Sequence, residues 1–159
     1  MIFTSLNFLL FFPTLVLLFY LTPIKWRSLL LLVASILFYL NLSPVYLLLL
    51  LGVGIATYSF TKAIANTKNE KKKYTFLMTN VILILLPLFF FKYFGAINNY
   101  CFSMLSQNGL HWPLPELKFL LPVGISFYTF VAIGYTIDVY NEEVEVEKDF
   151  GIVMLFISF

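Results

Sequence analysis

The chain has 159 residues, of which 61% are hydrophobic and only 11% are charged, and its mean hydropathy is +0.93. Soluble domains are roughly half apolar and about a quarter charged, so this composition excludes an ordinary soluble domain and predicts an integral membrane protein. The net charge of +2 is too small to indicate nucleic-acid binding, and the single cysteine, Cys101, excludes an internal disulfide and a cysteine-based metal cluster.

Five apolar runs are predicted to span the membrane, and a sixth starts near the end of the chain. They lie at residues 6–21, 28–42, 45–64, 74–91 and 119–139, with the sixth at 150–159. A helix needs about 20 residues to cross a bilayer, so the sixth run, which Asp149 is predicted to cap, is too short. The sequence therefore predicts an all-α, polytopic helical bundle, and the chain is interpreted as the N-terminal fragment of one multi-span membrane domain.

The connections between these runs differ in polarity. Thr22 to Arg27 is predicted to be a basic connection, and Ser43-Pro44 a tight turn. Lys92 is predicted to extend its amine to the membrane interface. The mixed segment 98–117 is interpreted as a surface piece with a short helix around residues 100–105.

The distribution of basic residues predicts the orientation. An external N-terminus places eight of the basic residues inside and only Lys92 and Lys118 outside; the eight are Lys25, Arg27, Lys62, Lys68, Lys71, Lys72, Lys73 and Lys148. Cytoplasmic connections carry an excess of Lys and Arg, so this orientation is preferred, in a bacterial cytoplasmic membrane. It also places the acidic connection 141–149 inside, although acidic residues count little in this rule. The lysines between 62 and 73 are interpreted as a solvated loop attracted to anionic lipid headgroups.

The run 121–130 reads LPVGISFYTF, a combination that is unusual in a membrane segment. It resembles the LPxGISFYTF signature of the membrane-bound O-acyltransferases, in the branch of alginate O-acetyltransferases and D-alanyl-transfer proteins. The opening Met1 to Ser5 and the run LLLLVASILFY at 29–39 are similar to the same branch. The resemblance covers most of the chain but only the N-terminal portion of such proteins.

The resemblance implies transfer of an acyl group, with acetyl expected, to a hydroxyl of an envelope polysaccharide or similar acceptor. The donor would be an acyl thioester or an acyl carrier, and no bound cofactor or metal is expected. The partners implied are the lipid bilayer, the missing C-terminal part of the same protein and envelope acyl-transfer proteins. That C-terminal part would supply the catalytic histidine, and the FPxLxxGP motif expected next is missing. The fragment alone is therefore predicted to be inactive.

Two interpretations stand for the signature residues Pro122, Gly124, Ser126, Phe127 and Tyr128. They either pack a helix in the bundle core or form a wall of the tunnel that admits the acyl donor. Ser126 and the neighbouring Thr129 can bond to carbonyls four residues earlier or across helices. The aromatic side chains are predicted to be rigid fillers.

Other residues that could carry chemistry have simpler explanations. His111 is the only histidine, lies outside any family motif and is interpreted as an interfacial residue. Asp138 is the only acidic residue within a span, and is either an interfacial anchor or a polar contact near a reaction chamber. Gly52, Gly54 and Ala56 are predicted to allow close helix contact, while the run around Leu50 is interpreted as lipid-facing.

Two other classes of function stay open from the sequence alone. A transporter or channel subunit would use these helices as a pathway, but such proteins show charged or broken helices in paired halves, which this sequence lacks. A non-catalytic membrane scaffold is what the bare composition supports. A downstream Gly-Pro motif and an intramembrane histidine would decide for the enzyme.

Overall fold

The computed structural model describes residues 6–107 and 124–159, and every regular element in these two ranges is helical. The elements are α1 (Leu6–Leu21), α2 (Ile24–Leu42), α3 (Pro44–Ala65), α4 (Glu70–Phe89), a π-helix (Phe90–Phe94), α5 (Gly95–Gln107), α6 (Ile125–Tyr140) and α7 (Phe150–Ser158).

Three helical stretches are long and apolar enough to cross a membrane: Ile24–Leu42, Pro44–Ala65 and the continuous run Glu70–Leu105. Leu9–Leu21 and Ile125–Tyr140 are shorter apolar helices. The predicted all-α membrane bundle is thus confirmed, while five complete spans stay a prediction.

Side-chain caps fix where three helices begin. Ser43 turns the chain between α2 and α3: its Oγ accepts from the Val45 N–H at 3.3 Å, and Pro44 takes the first helical position, where no N–H is needed. Asn69 Oδ1 accepts from the Lys71 N–H at 3.0 Å and starts α4. Asp149 Oδ1 accepts from the Gly151 N–H at 2.7 Å, which confirms its predicted role as the cap of α7.

Two helices start earlier than the sequence predicted. The second predicted span begins at residue 28, whereas α2 begins at Ile24, immediately after Pro23, so most of the predicted basic connection forms its first turn. The fourth predicted span begins at residue 74, whereas α4 begins at Glu70 next to its Asn69 cap. In both cases Lys and Arg extend the helix, since they are good helix formers that the hydropathy pattern counts only as polar. The membrane boundaries themselves stay predictions.

The helix also continues past residue 91, where the fourth span is predicted to end. The chain continues from α4 through the π-helix into α5, which contains the short helix predicted around residues 100–105. Pro87 removes one donor inside α4 without ending the helix, and the chain passes into a wider π turn at Phe90. Lys92 is exposed within this π turn, with its Nζ 5.6 Å from the Tyr93 ring centroid. Residues 108–117 of the predicted surface piece, and 119–123 of the predicted fifth span, lie outside the described residues.

The core of the bundle lies where α3, α4 and α6 pack against one another. The inner face of α3 carries residues at helical spacing, among them Leu50, Val53 and Thr57. Leu50 is only 1% exposed, so its interpretation as lipid-facing is wrong. A uniformly apolar run has no amphipathic pattern to show which face turns inward, and the exposed neighbour is Leu48 at 68%.

The helix directions place most basic residues at one end of the bundle. Lys73 Nζ contacts Glu142 Oε1 at 2.6 Å, which joins the start of α4 to the connection after α6. The Ser43 turn makes α2 and α3 antiparallel, so the start of α2 and the end of α3 share that same end. We call it the charged end. The opposite end carries Ser43 and the start of α6 at Gly124.

Candidate functional site

The start of α6 is built on a left-handed glycine. Gly124 has φ +78°, a conformation that other residues adopt only with strain. A β-carbon placed there would lie 3.3 Å from the Tyr39 hydroxyl and 3.9 Å from Cδ1 of Tyr128. Tyr39 belongs to α2, and its side chain reaches across so that its hydroxyl lies at the residue before α6. The glycine of the signature is therefore needed both for the turn and for the approach of a tyrosine.

The signature residues divide between two faces of α6. Tyr128 is 1% exposed and fills the core, whereas Phe127 and Phe130 are 66% and 63% exposed within the described ranges. The packing role and the tunnel-wall role of the signature both stay predictions. Ser126 is half-buried, and Pro122 lies outside the described residues.

A cavity of about 460 Å³ opens beside Gly124. Its lining comes from α1, α2 and the ends of α6 and α7: Phe11, Phe12, Leu15, Ala34, Ser35, Phe38, Tyr39, Gly124, Phe127, Ser158 and Phe159. The walls are mainly apolar with a few hydroxyl groups, and the volume is in the range of small-molecule sites. Gly124 and Phe127 are one helical turn apart and are the signature residues that face it.

Several hydroxyl groups in this region lack strong partners. The Tyr128 hydroxyl and Thr129 Oγ1 are buried and have no hydrogen-bond partner among residues 6–107 and 124–159. Thr129 therefore does not make the predicted bond to a carbonyl four residues earlier or to another helix. Ser35 donates to the Ser158 carbonyl at the long distance of 3.4 Å. A buried hydroxyl group without a partner lowers the stability of the fold. The start of α6 therefore keeps polar side chains that destabilise it.

The charged end is held by contacts between the connections and the helices. Lys73 is only 8% exposed as a residue, and the Tyr58 hydroxyl donates to the Lys148 carbonyl at 2.8 Å. The hydrogen bond and charge of Lys73 hold the pKa of Glu142 below its usual value. The pair therefore stabilises the fold at neutral pH, and this contribution is lost as the pH falls through the lowered pKa of Glu142.

This ion pair also accounts for an acidic connection on the same side as the lysines. Glu142 occupies the left-handed position after α6, with φ +61°, where glycine is usual. Its backbone N–H bonds to the Val139 carbonyl and that of Glu143 to the Asp138 carbonyl, which closes the helix end. The ion pair with Lys73 offsets part of the backbone strain at Glu142. The acidic residue therefore belongs to the same end of the bundle as the lysines.

The remaining candidates do not join the cavity. Asp138 is half-buried in the last turn of α6, 14 residues from Gly124, which is about 21 Å along a helix. This position favours the interfacial anchor over a contact at the cavity. Cys101 is a half-buried free thiol in α5, and His111 lies outside the described residues. Within the described ranges no group of three or more His, Cys, Asp or Glu side chains could hold a metal ion.

The small residues of α3 have unequal roles. Gly54 is buried, and a β-carbon there would lie 2.0 Å from Sδ of Met154, so it permits the close approach of α7. Gly52 is exposed with no atom within 4 Å of such a carbon. The prediction of close packing is therefore right for Gly54 and wrong for Gly52.

Sequence reasoning missed three residues that shape these regions. Tyr39 stands against Gly124, Asn80 Nδ2 donates to Thr136 Oγ1 at 2.8 Å in the core, and Lys73 holds Glu142. Asn80 had a usable signal, since a lone amide inside an apolar run usually faces another helix. Tyr39 had none, because its partner is a glycine 85 positions later.

Several bacterial proteins have sequences related to this chain. The chain is 37% identical over 143 residues to a probable alginate O-acetylase AlgI of Pseudomonas aeruginosa, 39% identical over 147 residues to that of Pseudomonas syringae, and 35% identical over 144 residues to that of Azotobacter vinelandii. Each comparison covers 89% of this chain but only 27% to 28% of the relative. The chain thus spans little more than a quarter of these relatives. No protein-family model and no solved structure matches it.

Proposed function

Since this chain is a relative of the alginate O-acetylases, as its sequence resemblance predicted, we propose that it forms part of the membrane domain of an O-acyltransferase. The reaction would move an acyl group, with acetyl expected, to a hydroxyl of an envelope polysaccharide. The observation that carries the proposal is the similarity over 89% of the chain, which includes the signature around Gly124. The portion of the relatives that the chain does not span would supply the histidine that the family uses as a general base.

We assign to the signature the function of forming one wall of the cavity beside Gly124. Its mainly apolar walls suit the acyl chain of a thioester donor, which would be protected from hydrolysis where water is excluded. Gly124 and Phe127 face this space, while Ile125 and Tyr128 anchor the same helix in the core. The two interpretations of the signature are therefore compatible: one face of α6 packs, and the other forms a wall.

The proposal is tested by exchanging the corresponding region. This chain replaces the matching part of a full-length alginate O-acetylase, in a strain that lacks its own enzyme, and acetyl esters on the secreted polymer are measured. We expect the chimera to restore acetylation and the chain alone to give none. A well-inserted chimera without acetyl esters would contradict the proposal, and so would acetyl transfer by the chain alone that is abolished by His111→Ala.

We further propose that the charged end faces the cytoplasm and the N-terminus the outside. The support is the excess of basic residues at one end, including Lys68 and Lys148 on two separate connections. In a Cys101→Ser background, single cysteines replace Lys68, Lys148 or Asn108, and intact cells are treated with an impermeant maleimide. We expect reaction only at position 108. Reaction at 68 and 148 with protection at 108 would show the opposite orientation.

A further inference from the structure

Three lysines at the charged end have exposed side chains that form no ion pair within the described ranges. Lys68, Lys71 and Lys72 are exposed, and none of them forms an ion pair with an acidic residue in ranges 6–107 and 124–159. Their neighbour Lys73 differs, because it turns inward to Glu142 and is also 3.7 Å from Glu70. The start of α4 therefore has an inner side whose charge is neutralised and an outer side whose positive charge is not.

The outer face of α4 changes in polarity along its length as a lipid-facing surface does. It begins with the exposed lysines and continues with Tyr74, which is 53% exposed. It then becomes apolar, with Ile82 and Leu86 exposed by 60% and 61%. Lys71 and Leu86 are about 22 Å apart along the helix, most of the thickness of a hydrocarbon core. Tyrosine is typical of the boundary between headgroups and chains, so Tyr74 places the lysines at headgroup depth.

We propose that Lys68, Lys71 and Lys72 form a binding site for the headgroup of an anionic phospholipid. The lipid phosphate accepts hydrogen bonds from the lysine amines, and its acyl chains lie along the exposed apolar face of α4. Lys73 is the partner of Glu142, so the Glu142 carboxylate does not compete with the phosphate for the amines of Lys68, Lys71 and Lys72. Such a site keeps anionic lipid beside α4 and adds to the general attraction between basic connections and the membrane surface.

The site is tested with the purified chain in mixed micelles of phosphatidylglycerol and phosphatidylcholine at equal amounts. Native mass spectrometry counts the lipids that stay bound. We expect phosphatidylglycerol to be enriched at least about fivefold, because one lysine near an anionic surface contributes about that factor. Raising the salt from 0.05 M to 0.5 M should reduce the enrichment, since the Debye length shortens.

The triple variant Lys68→Gln, Lys71→Gln and Lys72→Gln should lose this enrichment. The matched control Lys25→Gln, Lys92→Gln and Lys148→Gln removes the same charge elsewhere and should retain it. Circular dichroism checks that both variants stay helical. Equal loss in both triple variants would contradict a local site, and so would retention in the first. Displacement of the lipid by millimolar glycerol phosphate would show that the site binds a soluble anion instead.

Discussion

The variant Gly124→Leu is expected to lower the free energy of unfolding by about 2–5 kcal/mol. A side chain in the left-handed conformation costs about 1–2 kcal/mol, and forcing extra atoms into a packed contact costs about 1–3 kcal/mol more. The contact is with the Tyr39 hydroxyl, 3.3 Å from the position of the new β-carbon. Both effects act where the Tyr39 side chain of α2 meets the residue before α6, so the cavity wall should be disturbed as well. Denaturant unfolding in detergent, followed by circular dichroism, measures the change.

Two control variants separate this effect from the general consequences of added bulk. Gly134→Ala lies on the same helix with no atom within 4 Å of the new carbon, so it should be neutral or slightly stabilising. Leu48→Phe adds volume at a residue that is 68% exposed and should change the unfolding midpoint little. If Gly124→Leu unfolds with the same midpoint as these controls, the packing argument for the start of α6 fails.

The sequence predicted what depends on local chemistry. Ser43-Pro44 was predicted to form a tight turn and Asp149 to cap a helix, and the structure confirms both. The helix boundaries at residues 24 and 70 were missed, because a hydropathy pattern ends where lysine and arginine begin while the helix does not. The continuation of the helix beyond Pro87 was missed because a π turn leaves no recognisable pattern in the composition of the sequence.

The candidate site was only half predictable for a different reason. The signature drew attention to Gly124, Phe127 and Tyr128 but not to the faces they occupy, since polar and apolar residues do not separate onto opposite faces of α6. A helix of this kind carries no periodic pattern, and only tertiary packing decides that Tyr128 turns inward and Phe127 outward. The contact of Tyr39 with Gly124 and the ion pair of Lys73 with Glu142 join residues that are far apart in the sequence, so no local motif could predict them.

The buried amide of Asn80 leads to the second large effect. Asn80 and Thr136 are both 0% exposed, and their hydrogen bond of 2.8 Å joins α4 to α6. Asn80 Oδ1 already lacks a partner in the part of the chain that the structure describes. Thr136→Val nearly preserves shape but removes the acceptor, so the whole amide is left unpaired in an apolar core. We expect a loss of about 1–3 kcal/mol in the free energy of unfolding.

The variant Asn80→Leu should behave differently although it breaks the same bond. It removes both the amide donor and the unpaired oxygen, while Thr136 keeps its own bond to the Ala132 carbonyl at 2.8 Å. Replacing a buried polar group by an apolar one of similar shape is close to neutral, so this variant should unfold near the wild-type midpoint. Combined with Thr136→Val, it should recover most of the lost stability. If the double variant is as unstable as the sum of the two single variants, the loss comes from altered packing rather than from the unpaired amide.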